Sequence, residues 1–480
     1  MKNVQKIKDY HLKKLNKMLN SVKNERRLTV LFDKIHFVAN YLYEYNILFD
    51  CPELEDRISS FSSLLQSKKE ITNEYDLIFF DSFGLSRRGL ADIYLDGFIN
   101  NLYRVLYLTY EDNYVSTKEL RDKYETTISF RYIKRGVSEY NLLYSLFCKS
   151  KKIVLYITPC DILPVVVAKE TKAIKYLINL TDHAYWFGKS VCDYVIDFRN
   201  FGSSVNVFRR KVQESNLLLQ PYYPNIKETD FLGYPSSRMN KNNTFFSGGA
   251  LYKTIDDELS FYSMVDYILN KYPSLYYWYA GSGDTTYMKQ LMTKHPNRVF
   301  LTNERPDLFQ IMENIKFYLG TYPMSGGLMT QFAVAANTPA LNIVDDDSKE
   351  GILLKNGESV FEFENKDLLL KELDLLLSND SYFNKRVSNL NNTIVSKELF
   401  DNNLKSIIDN QQSMFDISLK EPQIERFLET YYERDSINKR CAVFVDKKFT
   451  FFNFLWPYYF AGVFVYFPKI IKRVLHKKEL

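Results

Sequence analysis

The feature that most constrains this chain is an alternation of strand-length apolar runs with segments long enough for a helix. Tyr75–Phe80, Tyr103–Leu108, Thr126–Tyr132, Ile153–Ile157, Ala173–Ile178 and Asp193–Ile196 are such runs. The series breaks at Pro221–Pro224 and the polar stretch Ser236–Asn243, then restarts. Thr244–Phe246, Leu275–Tyr279, Val299–Leu301, Phe317–Leu319 and Ala340–Ile343 form the second series, with a helix expected over Asp256–Leu269. Strands buried on both faces read as nearly continuous apolar runs, and alternation with helices implies parallel sheets covered on both sides. The expectation is therefore two α/β sheets in series. Ligands of such sheets sit at the carboxyl ends of the strands, so two facing sheets would enclose a cleft.

This organisation assigns residues 74–228 to a first unit and 243–410 to a second. Residues 1–73 are Lys/Leu-rich, with Leu12, Leu15 and Leu19 at helical spacing, and are expected to form a helical N-terminal extension. Residues 411–480 are left as C-terminal helices and a tail. A length of 480 residues suits two cores rather than one.

Composition excludes several classes of function. The net charge of +5 is dispersed and forms no nucleic-acid stripe. The five cysteines are scattered with no CxxC pair, which indicates neither a zinc site nor a disulfide framework and fits a reducing cytoplasm. Met1–Arg27 lacks the apolar core of a signal peptide, so no export is expected. Aromatic residues reach 16%, an excess that asks for an interface. Phe449–Phe467 supplies a candidate: 11 of its 19 residues are aromatic, none is charged, and Lys469, Lys472, Arg473, Lys477 and Lys478 follow. Aromatic rings favour the headgroup zone and flanking cations favour anionic lipid, so Phe449–Lys478 reads as a membrane-associating segment. Its length is marginal for a span and Pro457 would kink one. A single span and a buried docking segment are the alternatives.

Glycines follow several of the second-series strands. Gly248 and Gly249, with Lys253 nearby, lie between a strand and a helix, and Gly281 and Gly283 close another strand. Met324-Ser325-Gly326-Gly327 opens a helix containing Ala333, Ala335 and Ala336. Glycine lets an anion approach the backbone, and a helix start offers N–H groups to a diphosphate; a tight turn is the plainer reading of each pair. In the first half, His183 and the adjacent Asp182 follow an apolar strand, where an imidazole can accept a hydroxyl proton and Asp182 can orient it or act as the base itself. Arg199, Arg209 and Arg210 read as ion-paired or solvated, with phosphate contact as the alternative. Asp345-Asp346-Asp347 reads as a solvated turn rather than a metal clamp, and no metal is expected.

In their order along the chain these motifs resemble the GT-B glycosyltransferases, especially the bacterial group 1 type, over about residues 74–410. The donor half of that family has a glycine turn before a lysine, then a strand ending in Gly-x-Gly, and a loop near the nucleotide base. Here these correspond to Gly248, Gly249 and Lys253, to Gly281 and Gly283, and to Thr302–Arg305 with Glu304 and Arg305. A glycine-rich phosphate loop and small-residue helix follow, matched from Pro323 to Pro339, and then a helix-rich end, Lys366–Asn410. In the first half, Ile178–His183 resembles the family's strand ending in Thr-x-His, and Cys192–Ile196 its next strand. Phe83–Gly89 stands at its acceptor-facing glycine loop.

The resemblance implies two Rossmann-like domains across a cleft, a metal-independent sugar transfer with His183 and Asp182 at the chemistry, and no cofactor beyond the nucleotide-sugar co-substrate, expected to be a UDP-sugar. It implies donor binding by Gly248, Gly249, Lys253, Gly281, Gly283, Glu304, Arg305, Ser325, Gly326, Gly327 and Gln331, and acceptor binding by Gly84, Ser86, Arg87 and Arg88. One departure stands out. The family's paired glutamates, eight apart, fall on Met324 and Phe332, with Gln331 beside the second. With the tail, the expected setting is the cytoplasmic face of the cell membrane, in polysaccharide biosynthesis, with a lipid-linked or cell-surface glycan as acceptor. A catalytically silent subunit binding a partner transferase or a glycan is the alternative that the missing carboxylates raise, and a sugar-nucleotide epimerase is a third reading that the tail disfavours.

Overall fold

The computed structural model describes residues 2–46, 48–84, 90–226, 229–256, 258–344, 361–388 and 390–422. Two wholly parallel sheets carry the fold. The first contains β1 (Leu77–Asp81), β2 (Val105–Tyr110), β3 (Ser129–Ile133), β4 (Lys152–Tyr156), β5 (Ile174–Asn179), β6 (Tyr194–Asp197) and β7 (Leu217–Leu219), in the order β3-β2-β1-β4-β5-β6-β7. The second contains β8 (Thr244–Gly248), β9 (Tyr276–Ala280), β10 (Val299–Thr302), β11 (Phe317–Leu319), β12 (Ala340–Ile343) and β13 (Glu362–Phe363), in the order β10-β9-β8-β11-β12-β13. In each sheet the order reverses beside the first strand of the series, between β1 and β4 and between β8 and β11. That switch point opens a crevice at the carboxyl ends.

The expected runs formed strands within a residue or three of their predicted limits. β7 and β13 were not anticipated, being only three and two residues long. The expected helix over Asp256–Leu269 begins later, at Ser260, because Ser260 N–H and Oγ both bond the Asp256 carboxylate and Leu259 takes a left-handed conformation at the boundary.

Two boundaries require correction. The helices Lys2–Asn24 and Leu28–Tyr45 are no appended extension. Leu15, Met18, Leu31, Ile35, Val38 and Leu42 are fully buried in one core with Ile78, Phe80 and Leu155 of the first sheet. The helix Lys397–Asn410 was expected in the second unit, yet Phe400, Leu404, Ile407 and Ile408 are buried against Phe79, Tyr94 and Phe98 of the first. The physical reason is its apolar face, which finds the open side of the first sheet. Polar clamps hold it there: Gln220 donates to the Phe400 carbonyl at 3.0 Å and Asn403 to the Leu219 carbonyl at 2.9 Å. Residues after it continue over the first unit, with Arg209 donating to the Pro422 carbonyl at 2.9 Å. The Phe449–Lys478 segment and Asp345–Asp347 lie outside the described residues. Among the described residues, no helix is long and apolar enough to cross a membrane.

Candidate functional site

On the first sheet, carboxylates and amides gather at the strand ends. Asp81 closes β1, Asn179 closes β5 and Asp197 closes β6, all buried. Asp182 lies three residues beyond β5 and is only 1% exposed on its side chain. Its Oδ2 meets Arg199 Nε at 2.5 Å, and its Oδ1 lies 3.2 Å from Nδ1 of the half-buried His183. Burial pushes such a carboxyl upward, but the Arg199 charge and the bonds from His183 and Arg199 overcome it and hold Asp182 far below the ordinary carboxylate range. A carboxylate held so firmly ionised is a weak base, so the alternative of Asp182 as base loses ground and its geometry fits orientation of His183. Arg199 is spent on this pair. Tyr222, just after β7, feels the charges of both Arg199 and Asp182, and burial lifts its phenol to about 12.

Behind this turn lies a second polar layer that sequence reasoning missed. Asp197 accepts from Asn179 at 2.7 Å, from Ser203 at 3.0 Å, and on both of its oxygens from Asn206 Nδ2 at 2.9 and 3.0 Å. Burial raises its pKa to about 7 against these bonds. Asn206 in turn accepts from Arg210 Nη1 at 2.8 Å. Arg210, 1% exposed, lies over the rings of Phe49 and Trp186. Burial draws its pKa down to about 10, which leaves it charged at neutral pH. Periodicity could not have found Asp197 or Asn206, because the hydrogen bonds of this layer join separate elements across 4 to 29 positions of chain. The one available sign was the unusual number of polar residues at the ends of apolar runs.

The acceptor-side glycine, Gly84, stands in the left-handed region at φ +58 and donates to Asp81 Oδ1 at 3.0 Å. A Cβ there would overlap Asn113, so the glycine serves this turn. Burial raises Asp81 to about 6 despite its bonds from Tyr107, Phe83 and Gly84. Ser86, Arg87 and Arg88 lie outside the described residues.

In the second sheet the strand ends carry glycine instead. Gly249 (φ +124) donates to the Ala280 carbonyl at 3.0 Å, Gly281 to the Thr302 carbonyl at 3.0 Å, and Leu251 to the Ser282 carbonyl at 2.9 Å. A Cβ on Gly281 would overlap the Gly249 carbonyl oxygen. The Gly249 and Leu251 N–H groups thus lock the two turns together, and the Gly281 N–H is consumed in joining the second turn to the end of β10. For these glycines the tight-turn reading is the one the structure favours over direct phosphate contact. Gly248 is buried as the last residue of β8, and Gly283 (φ +133) packs on Leu251. Lys253 is half-buried, and its carbonyl accepts from Met324 N–H at 3.4 Å, which draws the β8 turn against the loop before the helix Gly327–Ala335. Ser325, Gly326 and Gly327 lie in that loop and helix start.

Two expected donor residues make internal contacts. Arg305 forms a two-point pair with buried Asp307, at 2.7 and 2.8 Å, and lies over the Trp278 ring. It also donates to the Gly233 carbonyl at 3.2 Å, tying the inter-sheet connection to the second sheet. Gln331 is buried, and its Nε2 donates 3.0 Å to the Tyr222 carbonyl. It joins the small-residue helix to the segment beside Arg199 and Asp182. Glu304 remains near the surface and accepts from Ser282 Oγ at 3.2 Å.

Two parallel sheets, each with its switch point, and a helix start drawn toward a charged turn define an α/β protein of the GT-B-like class that the motifs resemble. No protein-family model matches the chain, and no curated protein matches it in sequence. Solved structures do resemble it. The Anabaena protein Alr3699/HepE, crystallised with UDP and glucose, is 12% identical with a TM-score of 0.52, over 70% of this chain and 100% of its own. The Thermobaculum terrenum O-GlcNAc transferase is 14% identical with a TM-score of 0.48, over 84% and 78%. A UDP-N-acetylglucosamine 2-epimerase is 10% identical with a TM-score of 0.46, over 74% and 100%. The likeness to the Anabaena protein shows the fold.

Proposed function

We propose that this protein is a glycosyltransferase that moves a sugar from a UDP-sugar to a lipid-linked or cell-surface glycan acceptor. The observation that carries the reading is one contact: Gln331 on Tyr222, which sets the glycine-opened helix of the second sheet beside the Asp182–His183 turn of the first. The Anabaena protein of this fold was crystallised with UDP and glucose, which supports a nucleotide-sugar donor. In the transfer, the acceptor oxygen forms a bond to the anomeric carbon, its proton passes to His183, and the diphosphate departs with the bonding pair. Backbone N–H groups at Ser325, Gly326 and Gly327 stabilise the departing charge. Asp182, kept ionised by Arg199, orients the imidazole through its 3.2 Å contact with Nδ1. The nucleotide sugar is co-substrate and no cofactor is invoked. The reaction is read as metal-independent, so full chelation should leave the rate unchanged.

The composition of the aromatic segment Phe449–Lys478 supports a setting at the cytoplasmic face of the membrane. Salt washing should leave the protein on membranes, and release by salt alone would sink that setting. A second reading, a silent subunit that binds a partner transferase or a glycan, draws on two observations. Gln331 and Arg305 are engaged in internal contacts, and Met324 and Phe332 stand at the family's carboxylate positions. Thermal-shift titration with UDP, GDP and their sugars separates the two. Stabilisation that grows with ligand concentration supports the transferase, through linkage of binding to folding. No response to any nucleotide supports the silent subunit.

A further inference from the structure

The turn that carries His183 is held in an unusual way. The Nη2 group of Arg210 donates to the carbonyls of Thr181 and Asp182, each at 3.0 Å, and also to the carbonyl of Ala184. The remaining carbonyl, that of His183, accepts from Asn46 Nδ2 at 2.7 Å. Four consecutive carbonyls are therefore bound by two side chains from distant parts of the chain. Three peptide planes turn toward one guanidinium, and the fourth turns toward the end of the helix Leu28–Tyr45.

The two anchors are themselves fixed. Arg210 lies over Phe49 and Trp186 and donates to Asn206, which donates to Asp197. Asn46 sits in the left-handed conformation at φ 46 as the helix cap, and its N–H bonds the Leu42 carbonyl. A planar guanidinium with fixed donor directions constrains the groups it meets more tightly than an ammonium would. A peptide whose carbonyl is bonded in a buried site loses its freedom to rotate. The φ and ψ angles on either side of His183 are thereby set, and its ring swings only about its side-chain torsions. Asp182, held by Arg199, then meets Nδ1.

We infer that Arg210 and Asn46 are positioning residues that hold the His183 imbidazole in its working orientation, so that the N-terminal helices belong to the candidate site. This rests on the reading of His183 as the proton acceptor, and it names the device that aims it. Neither residue is placed in contact with a substrate.

The test uses the full chain and two variants. Asn46→Gly keeps a residue that adopts the left-handed conformation without strain and removes the amide. Arg210→Lys keeps the charge and removes the planar fork. The activity readout is the split between kcat and donor KM. The second readout is independent of activity: the pH titration of His183 by NMR on protein labelled at its histidines. The chain has five histidines, and His183→Gln assigns the signal. The expected result for Asn46→Gly is a fall in kcat of roughly tenfold with donor KM nearly unchanged, together with displaced His183 ring resonances. An unchanged kcat and an unchanged His183 signal in a folded Asn46→Gly protein would overturn the inference, whatever Arg210→Lys does. If wild type shows no transfer yet the His183 signal moves in Asn46→Gly, the positioning stands and the transferase reading fails. If wild type transfers and neither readout moves, the transferase reading stands and the positioning fails.

Discussion

The two sheets share a topology but finish their strands differently. The first ends β1, β5 and β6 in Asp81, Asn179 and Asp197, and follows β5 with Asp182 and His183. The second ends β8 in Gly248 and follows β9 and β11 with Gly281 and Gly320. In the first, side chains carry the charge, and a buried layer of amides and one guanidinium fixes them. In the second, side chains are absent at these points so that other groups can approach the backbone: a Cβ on Gly320 would overlap the Asn342 side chain, and one on Gly281 the Gly249 carbonyl. The difference teaches that one crevice is lined by oriented side chains, whereas the other is a close-packed floor beneath a helix start. Under the proposed function, the first directs a proton and a hydroxyl and the second takes a polyanion.

The sharpest way to break this division is at the imidazole. His183→Ala should lower transfer by about 10²–10⁴-fold, the range for loss of a general base, while nucleotide affinity measured calorimetrically stays nearly constant. Loss of nucleotide binding in that variant would erase the distinction between the two crevices.

Next in size is the charge pair of the first sheet. Arg199→Gln leaves the buried Asp182 carboxylate without its cation and should cost about 3–5 kcal/mol in chemical denaturation at neutral pH. The pH dependence has a definite sign. Asp182 has a folded pKa below its unfolded value of about 4, so its contribution is complete above that value and is lost as pH falls through the folded one. Removing Arg199 raises the folded pKa. The stability gap between wild type and variant should therefore shrink on acidification, as protonation relieves the unpaired charge.

The backbone floor of the second sheet is tested by Gly281→Ala. The added methyl meets the Gly249 carbonyl, and overpacking of this kind costs about 1–3 kcal/mol. Here nucleotide-induced stabilisation should fall along with the melting temperature, because the β8 turn that abuts the loop before the helix Gly327–Ala335 must move. A variant that melts early yet responds fully to UDP would show that the floor is irrelevant to the ligand.

The smallest effect sharpens the comparison at Arg305. If its work is the pair with Asp307 and the contact with Trp278, Arg305→Lys should cost about 1–2 kcal/mol of stability and leave nucleotide affinity unchanged. A selective drop in nucleotide affinity at unchanged melting temperature would return Arg305 to the donor site.

Much of this was legible from local pattern. Leu77–Asp81 and Val105–Tyr110 are buried on every residue, and such runs announce themselves as parallel strands without any knowledge of their neighbours. Their order also made the glycine turns and the Asp182–His183 turn visible as candidates. The roles of Gln331 and Arg305 were not legible, because an amide or guanidinium declares its partner only when the chain brings one within about 3 Å. Tyr222 and Asp307 were the partners. Nor could periodicity say that Lys2–Asn24 and Lys397–Asn410 complete the first unit, since an amphipathic helix specifies that it needs an apolar surface but not which one.

What the sequence determined by itself, then, was two parallel α/β sheets in series and the positions of their turns. The period of apolar residues and the conformational freedom of glycine are properties of a few neighbouring residues. Only the tertiary structure decided which polar groups would meet: Asn46 with the His183 carbonyl, Arg210 with the three carbonyls around it, and Arg199 with Asp182. Hydrogen bonds and ion pairs act over a few ångströms, and at this turn those ångströms join His183 to a residue 137 positions away in the chain.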